Sequence, residues 1–294
     1  MAVLLAVPNL SEGRELETVH RLVDTLLDPA ALLDFHFDEV HNRAAVTIAG
    51  TPEALRTSLE AGARAAVAEI DMTTHEGAHP CIGALDVCPI VFLLDENRVT
   101  ARHEAAEVGR WIGDELDVPV FLYGDLAATE ERRERAHFRE GGLERLGDRM
   151  ESGELVPDFG PTRPHPTAGA TLVTARPPLA AFNIELDRAD AAVAQRVAAA
   201  LRESGGGPAG VRAIGRPLEG GRSQVSTNVH DPIAVPLRIV VERVAELAAE
   251  QGARPVESEL VGLVPAAAMQ GFPSGLPIRG FDPERHVIER AISR

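Results

Sequence analysis

Aromatic side chains are scarce in this sequence: one Trp, one Tyr and nine Phe in 294 residues, 4% of the chain. So few flat rings leave little for single-stranded nucleic acid to stack on. Cysteine is nearly absent too. Cys81 and Cys88 are too few for the disulfide framework of a small secreted domain. Positive charge is outnumbered, with 29 basic against 45 acidic residues and a net charge of −16. That field argues against nucleic acid and anionic membrane surfaces as partners, although a local arginine cluster can still hold a small anion. No run approaches the ~18 apolar residues of a membrane span. The opening MAVLLAVPNLSEGRE has neither the basic start nor the apolar length of a signal peptide. A cytoplasmic protein is expected.

What is present is the composition of an ordinary globular chain, 45% hydrophobic and 25% charged, long enough for two modest domains. Hydrophobic periodicity predicts a strand at Val3–Val7 and a helix at Gly13–Leu27, with Leu16, Val19, Leu22, Val23, Leu26 and Leu27 as its apolar stripe. Strands follow at Leu32–His36 and Ala44–Ala49. Thr51 caps a long alanine-rich helix with Glu53 in its first turn. The apolar run Leu85–Leu94 reads as a central strand. A helix at Ala101–Leu116, a strand at Val118–Tyr123 and a polar helical stretch extend this half. The second half repeats the order, with strands at Leu179–Leu186, Val211–Arg216, Ser223–Val229 and Glu259–Val264, and helices at Ala189–Glu203 and Pro236–Gln251. Residues 153–178, rich in Pro, Gly and Thr, read as the connection. The expected fold is α/β (α+β): two ferredoxin-like βαββαβ subdomains side by side, 1–178 and 179–294, with a substrate crevice between them.

Familiar ligand motifs are mostly missing. ESGGGPAG (203–210) lacks the G-K-[ST] ending of a phosphate loop, and no G-x-G-x-x-G follows the first strand. HEGAH (75–79) spells the H-E-x-x-H of zinc proteases, whose two histidines reach one metal only from a single helix face. Gly77 weakens a helix there by roughly 1 kcal/mol, and Pro80 pushes His79 toward extended geometry. A loop is expected instead, and no metal. Its rigid His79 suits a proton carrier, because imidazole titrates near neutral pH. In DFHFDEVHNR (34–43), an extended strand puts His36 and Asp38 on one face, with Arg43 opening the next strand. Such a group suits a polar substrate that carries a carboxylate.

Beyond these patterns the sequence resembles the formiminotransferase family, the glutamate formimidoyltransferases. The resemblance is carried by VPNLSEG (7–13), HNR (41–43), IDMTTHEGAHPCIGALDVCP (70–89), VPVFLYG (118–124) and PDFGP (157–161). AFNI (181–184), QVSTN (224–228) and LVGLVP (260–265) follow in the second half, in family order. It implies transfer of a formimino group from N-formimidoyl-L-glutamate to N5 of tetrahydrofolate, the co-substrate, by a homodimer with no metal. It implies His79 as the acid/base. It also places the folate loop on Gly160, Pro161, Thr162, Arg163, Pro164, His165, Pro166, Thr167, Ala168 and Gly169. Asp38 is then expected to hold the amidinium or orient an imidazole, Arg43 to grip a carboxylate, and Asn183 and Asn228 to meet the pterin edge. Two departures stand out. Cys81 occupies a place where the family usually has arginine, and Ala168 one where it commonly has an aromatic. They keep open a 5-formyltetrahydrofolate-handling enzyme, or a folate-binding protein with little turnover.

Overall fold

The computed structural model describes residues 2–188, 190–218 and 220–293. The chain divides into two units, Met1–Arg176 and Pro177–Arg294. Each holds one β-sheet, and the architecture is mixed α/β.

In the first unit the strands are β1 (Leu4–Ala6), β2 (Asn9–Leu10), β3 (Ala31–Asp38), β4 (Arg43–Gly50), β5 (Leu85–Phe92), β6 (Val120–Leu122) and β7 (Thr171–Arg176). β1 and β2 follow one another in the slot between β4 and β5, so the sheet reads β3, β4, β1/β2, β5, β7, β6. β5 and β6 run parallel to β7; the other pairings are antiparallel. Helices α1 (Leu16–Thr25), α2 (Pro52–Glu69) and α3 (Arg98–Leu116) pack their apolar faces into one core with Val46, Ile48 and Ile90. Thr51 begins α2 as expected, its hydroxyl accepting from the Ala54 N–H at 3.2 Å, with Pro52 in the first turn. A second core joins Val87, Phe121 and Leu172 to Phe138 of α4 (Arg135–Arg139) and to Leu146 and Met150 of α5 (Gly142–Glu151). Arg149, 2% exposed, ties these two helices, donating to the Phe138 and Glu140 carbonyls and to Glu154.

The second unit is β8 (Ala180–Leu186), α6 (Ala191–Leu201), β9 (Val211–Leu218), β10 (Arg222–Val229), α7 (Leu237–Ala249) and β11 (Pro255–Val261). Its sheet is antiparallel, in the order β11, β8, β10, β9. Phe182, Ile184 and Val225 point to α6 and α7, where Val197, Leu201, Val240 and Val244 complete the core. The helix start expected at Ala189 falls on a residue outside those described.

One expectation fails. Residues 153–178 are not merely a connection, because β7 lies within them and stands between β5 and β6. Thr171–Ala175 is buried throughout. A run of five buried residues has no alternation to reveal the strand, and the surrounding Pro and Gly masked its Leu and Val.

Candidate functional site

The HEGAH segment is a turn and loop, with no helix between Thr73 and Pro80. His75 and His79 therefore share no helical face, and the zinc-protease arrangement is absent. The loop is docked on the tip of the β3–β4 hairpin. The Ala78 N–H donates to the Val40 carbonyl at 3.0 Å, and a Cβ on Gly77 would stand 2.4 Å from the His41 carbonyl oxygen. Glycine is there because two backbones meet. Asn42 is the hub of this junction. Its φ is +47°, a left-handed conformation that asparagine tolerates better than most residues. Its amide donates to the Glu76 carbonyl at 3.0 Å and lies 3.3 Å from His75 Nδ1, while its oxygen accepts the Gly13 N–H at 2.9 Å. Three separated stretches of sequence meet on one side chain.

Arg43 lies directly across the ladder from Asp38. Its guanidinium donates to Asn9 of β2, and its Nε is buried without a hydrogen-bond partner among the described residues. Burial, foremost, pulls the Arg43 pKa down. Asp38 accepts from the His41 N–H at 2.7 Å and lies 3.0 Å from His41 Nδ1; the backbone bond is the main cause of its lowered pKa. The imidazole beside Asp38 is thus His41. His36 instead pairs with Asp34 at 2.7 Å.

His79 is half-buried, and its Nδ1 has no hydrogen-bond partner among the described residues. Its ring meets that of His41 edge-on, 6.3 Å between centroids. Burial first, then the charges of Arg43, Arg139, Arg135 and His41, push its pKa down to about 3. Around a neutral imidazole there is thus a positive environment inside a strongly acidic protein. Asp86, 2% exposed, is the carboxylate in this group. Arg139 donates to it, and its other oxygen accepts the Ile82 N–H at 2.8 Å. Cys81 sits in the same cluster, and burial raises its pKa, keeping the thiol neutral. Arg135, Arg139, Asn9 and Asn42 were not anticipated from sequence. The two asparagines belong to the VPNLSEG and HNR motifs, and the two arginines stand one helical turn apart in the polar helical stretch that follows Tyr123.

Residues 160–169 close back on this segment. Thr167 O accepts the Met72 N–H at 2.7 Å, Ala168 O the Ala84 N–H at 2.9 Å, and Ile82 O the Ala170 N–H at 2.8 Å. A Cβ on Gly83 would lie 1.9 Å from the Ala170 oxygen. The stretch 160–167 is exposed or half-exposed, with Arg163 paired to Asp117 at 3.3 Å. Ala168 and Gly169, the last two residues of this stretch, lie inward. Ala168 is 2% exposed and packs in the core, its N–H on His165 Nδ1 at 3.0 Å, so its side chain is no stacking platform. Gly169 is buried and bridges His165 and Gly83. Asn183 and Asn228 belong to the second unit, on the sheet face turned away from α6 and α7. Asn183 donates to Glu259 at 3.0 Å, and Asn228 is exposed on β10.

Residues 3–176 match the formiminotransferase domain, N-terminal subdomain, and residues 181–272 match the formiminotransferase domain. The chain belongs to the formiminotransferase family. A glutamate formimidoyltransferase of Streptococcus pyogenes is 34% identical over 291 residues, covering 98% of this chain and 97% of that protein. One from Thermoplasma acidophilum is 34% identical over 300 residues, covering 100% and 98%. The formimidoyltransferase-cyclodeaminase of Gallus gallus is 40% identical over 272 residues, 90% of this chain and 50% of the longer protein. Among the described residues of this formiminotransferase family member, no helix is long and apolar enough to cross a membrane.

Proposed function

We propose that the protein transfers the formimino group of N-formimidoyl-L-glutamate to N5 of tetrahydrofolate and releases L-glutamate. The observation that carries this reading is the neutral, half-buried His79 held among guanidinium groups. It is an acceptor for a proton set beside an environment for carboxylates, in a chain aligned end to end with two glutamate formimidoyltransferases.

Tetrahydrofolate, when bound, supplies the acceptor amine. The exposed stretch Gly160–Thr167 fits contact with it; Ala168 and Gly169 support that stretch from the core. As the new C–N bond forms, the attacking nitrogen loses a proton to His79. As the bond to glutamate breaks, His79 returns that proton to the leaving nitrogen, so no net proton is consumed. Asp38 holds the amidinium, whose positive charge makes the carbon electrophilic. Arg43, with its unpartnered Nε, grips a carboxylate of the donor. Bringing donor and acceptor together supplies much of the remaining rate. Asn183 and Asn228 serve the pterin edge in this reading. The same reading takes the two units as subdomains of one cytoplasmic enzyme that acts as a homodimer.

Glutamate release from formimidoylglutamate, measured with and without tetrahydrofolate, tests the proposal. Release that depends on tetrahydrofolate is expected. Folate binding without release, or release only from a formylated folate system, would overturn it. His79→Gln is expected to lower kcat by about 10³-fold while folate still binds.

A further inference from the structure

The stretch 130–140, EERRERAHFRE, carries four arginines. Arg132 pairs with Asp158, Arg133 lies 3.7 Å from Glu130, and Arg139 pairs with Asp86. Arg135 has no carboxylate partner among the described residues. It stands four residues before Arg139 on α4, which puts both on one helix face. Its charge reaches Arg43 and His79, and also Tyr123 and Arg176. Asp86 is the carboxylate acting on Arg43, and it is already engaged by Arg139 and the Ile82 N–H.

A half-buried guanidinium facing like charges is unfavourable unless an anion joins it. The helix holding it is fixed from behind by Phe138 in the core and by the buried Arg149. Arg43 comes from β4 and Arg135 from α4, so two arginines from separate elements act on the same imidazole. A donor with two carboxylates can use both.

We propose that Arg135 is a specificity-determining residue that binds the second carboxylate of the donor, so that with Arg43 it selects a dicarboxylate over a monocarboxylate. The inference rests on the transfer reaction proposed above. Arg135 takes no part in the proton movements; it holds the donor so that the amidine carbon lies at His79. Lysine is absent from the chain, so each basic residue is an arginine, suited to bidentate carboxylate binding.

The test compares wild type, Arg135→Gln and Arg135→Lys with three donors. These are N-formimidoyl-L-glutamate, N-formimidoyl-L-glutamine and N-formimidoyl-4-aminobutyrate, the last two each lacking one carboxylate. Arg135→Gln should lower kcat/KM for the dicarboxylate about 100-fold, mainly through KM. With one of the two monocarboxylates it should match wild type within about threefold, and Arg135→Lys should recover about tenfold of the loss. Its thermal midpoint should equal or exceed that of wild type, since a like charge is removed. An equal loss with all three donors, or no loss with the dicarboxylate, overturns the assignment. Calorimetric binding of glutarate separates this from the reaction itself. Should wild type fail to turn over any donor, a glutarate Kd about tenfold weaker in Arg135→Gln still supports the carboxylate site, and an unchanged Kd rejects it.

Discussion

At the scale of single residues, His79 combines two opposed requirements. A base must be unprotonated at working pH, and burial with three arginines secures this by pushing its pKa down to about 3. An imidazole that weak is a poor proton acceptor. Carboxylates arriving at the same arginines offset their charge, so donor binding strengthens the base it needs. We expect the His79 imidazole, followed by nuclear magnetic resonance with labelled histidine, to titrate roughly one unit or more higher with saturating glutarate than without it. An unchanged midpoint would separate the arginines from catalysis. The same shift has a cost in acid. Above 6.5 the ring is neutral in both folded and unfolded chains and contributes nothing. As pH falls from 6.5 toward 3, the unfolded chain takes up a proton that the folded one refuses, and stability is lost. His79→Asn should therefore gain stability relative to wild type between pH 7 and pH 4 in urea titrations.

Among elements, the decisive piece is the β3–β4 hairpin tip. Asn42 there joins the segment after β2, the hairpin and the HEGAH loop through a backbone conformation few residues accept. Asn42→Ala should destabilise by about 2–4 kcal/mol, from the lost bonds to the Gly13 N–H and the Glu76 carbonyl and from strain at positive φ. Asn42→Gly keeps the backbone but not the bonds and should cost less; equal losses in chemical denaturation would show that strain plays no part. This hub was partly legible. HNR stood out as a motif, but nothing local tells an asparagine in a solvated turn from one that welds three loops. Gly83 was likewise visible as a turn residue, whereas its packing under the Ala170 carbonyl depends on β7, which the Pro- and Gly-rich composition concealed. Gly83→Ala should disrupt the 160–169 return, raising KM for tetrahydrofolate more than for the donor.

Over the whole molecule, a net charge of −16 surrounds a small group of guanidiniums. Far from the site the acidic field repels an anionic donor; at the site the arginines attract it. Salt screens the distant field over about 8 Å at physiological ionic strength, while half-buried pairs are screened less. Because the basic residues are all arginine, the charge of the cluster is constant from pH 5 to pH 9 on the scale of ordinary side-chain pKa values. Its response to acid comes from histidines and carboxylates. Raising ionic strength from roughly 0.02 to 0.5 M should therefore weaken donor binding less than tenfold. A loss like that of a fully exposed ion pair would place the arginines in open solvent.

Apart from β7, the order of the main strands and helices, the Thr51 cap, the Asp38–Arg43 pairing and the failure of HEGAH to form a helix all follow from local chemistry. Period-two and period-3.6 patterns, capping oxygens and proline act over a few residues, so the linear chain determined them. The arginines around His79 had to wait for tertiary structure. β4 and α4 are about ninety residues apart in sequence, and only their packing on a shared sheet brings their charges onto one imidazole. Electrostatics depends on distance in space and on burial, neither of which a pattern of residues carries.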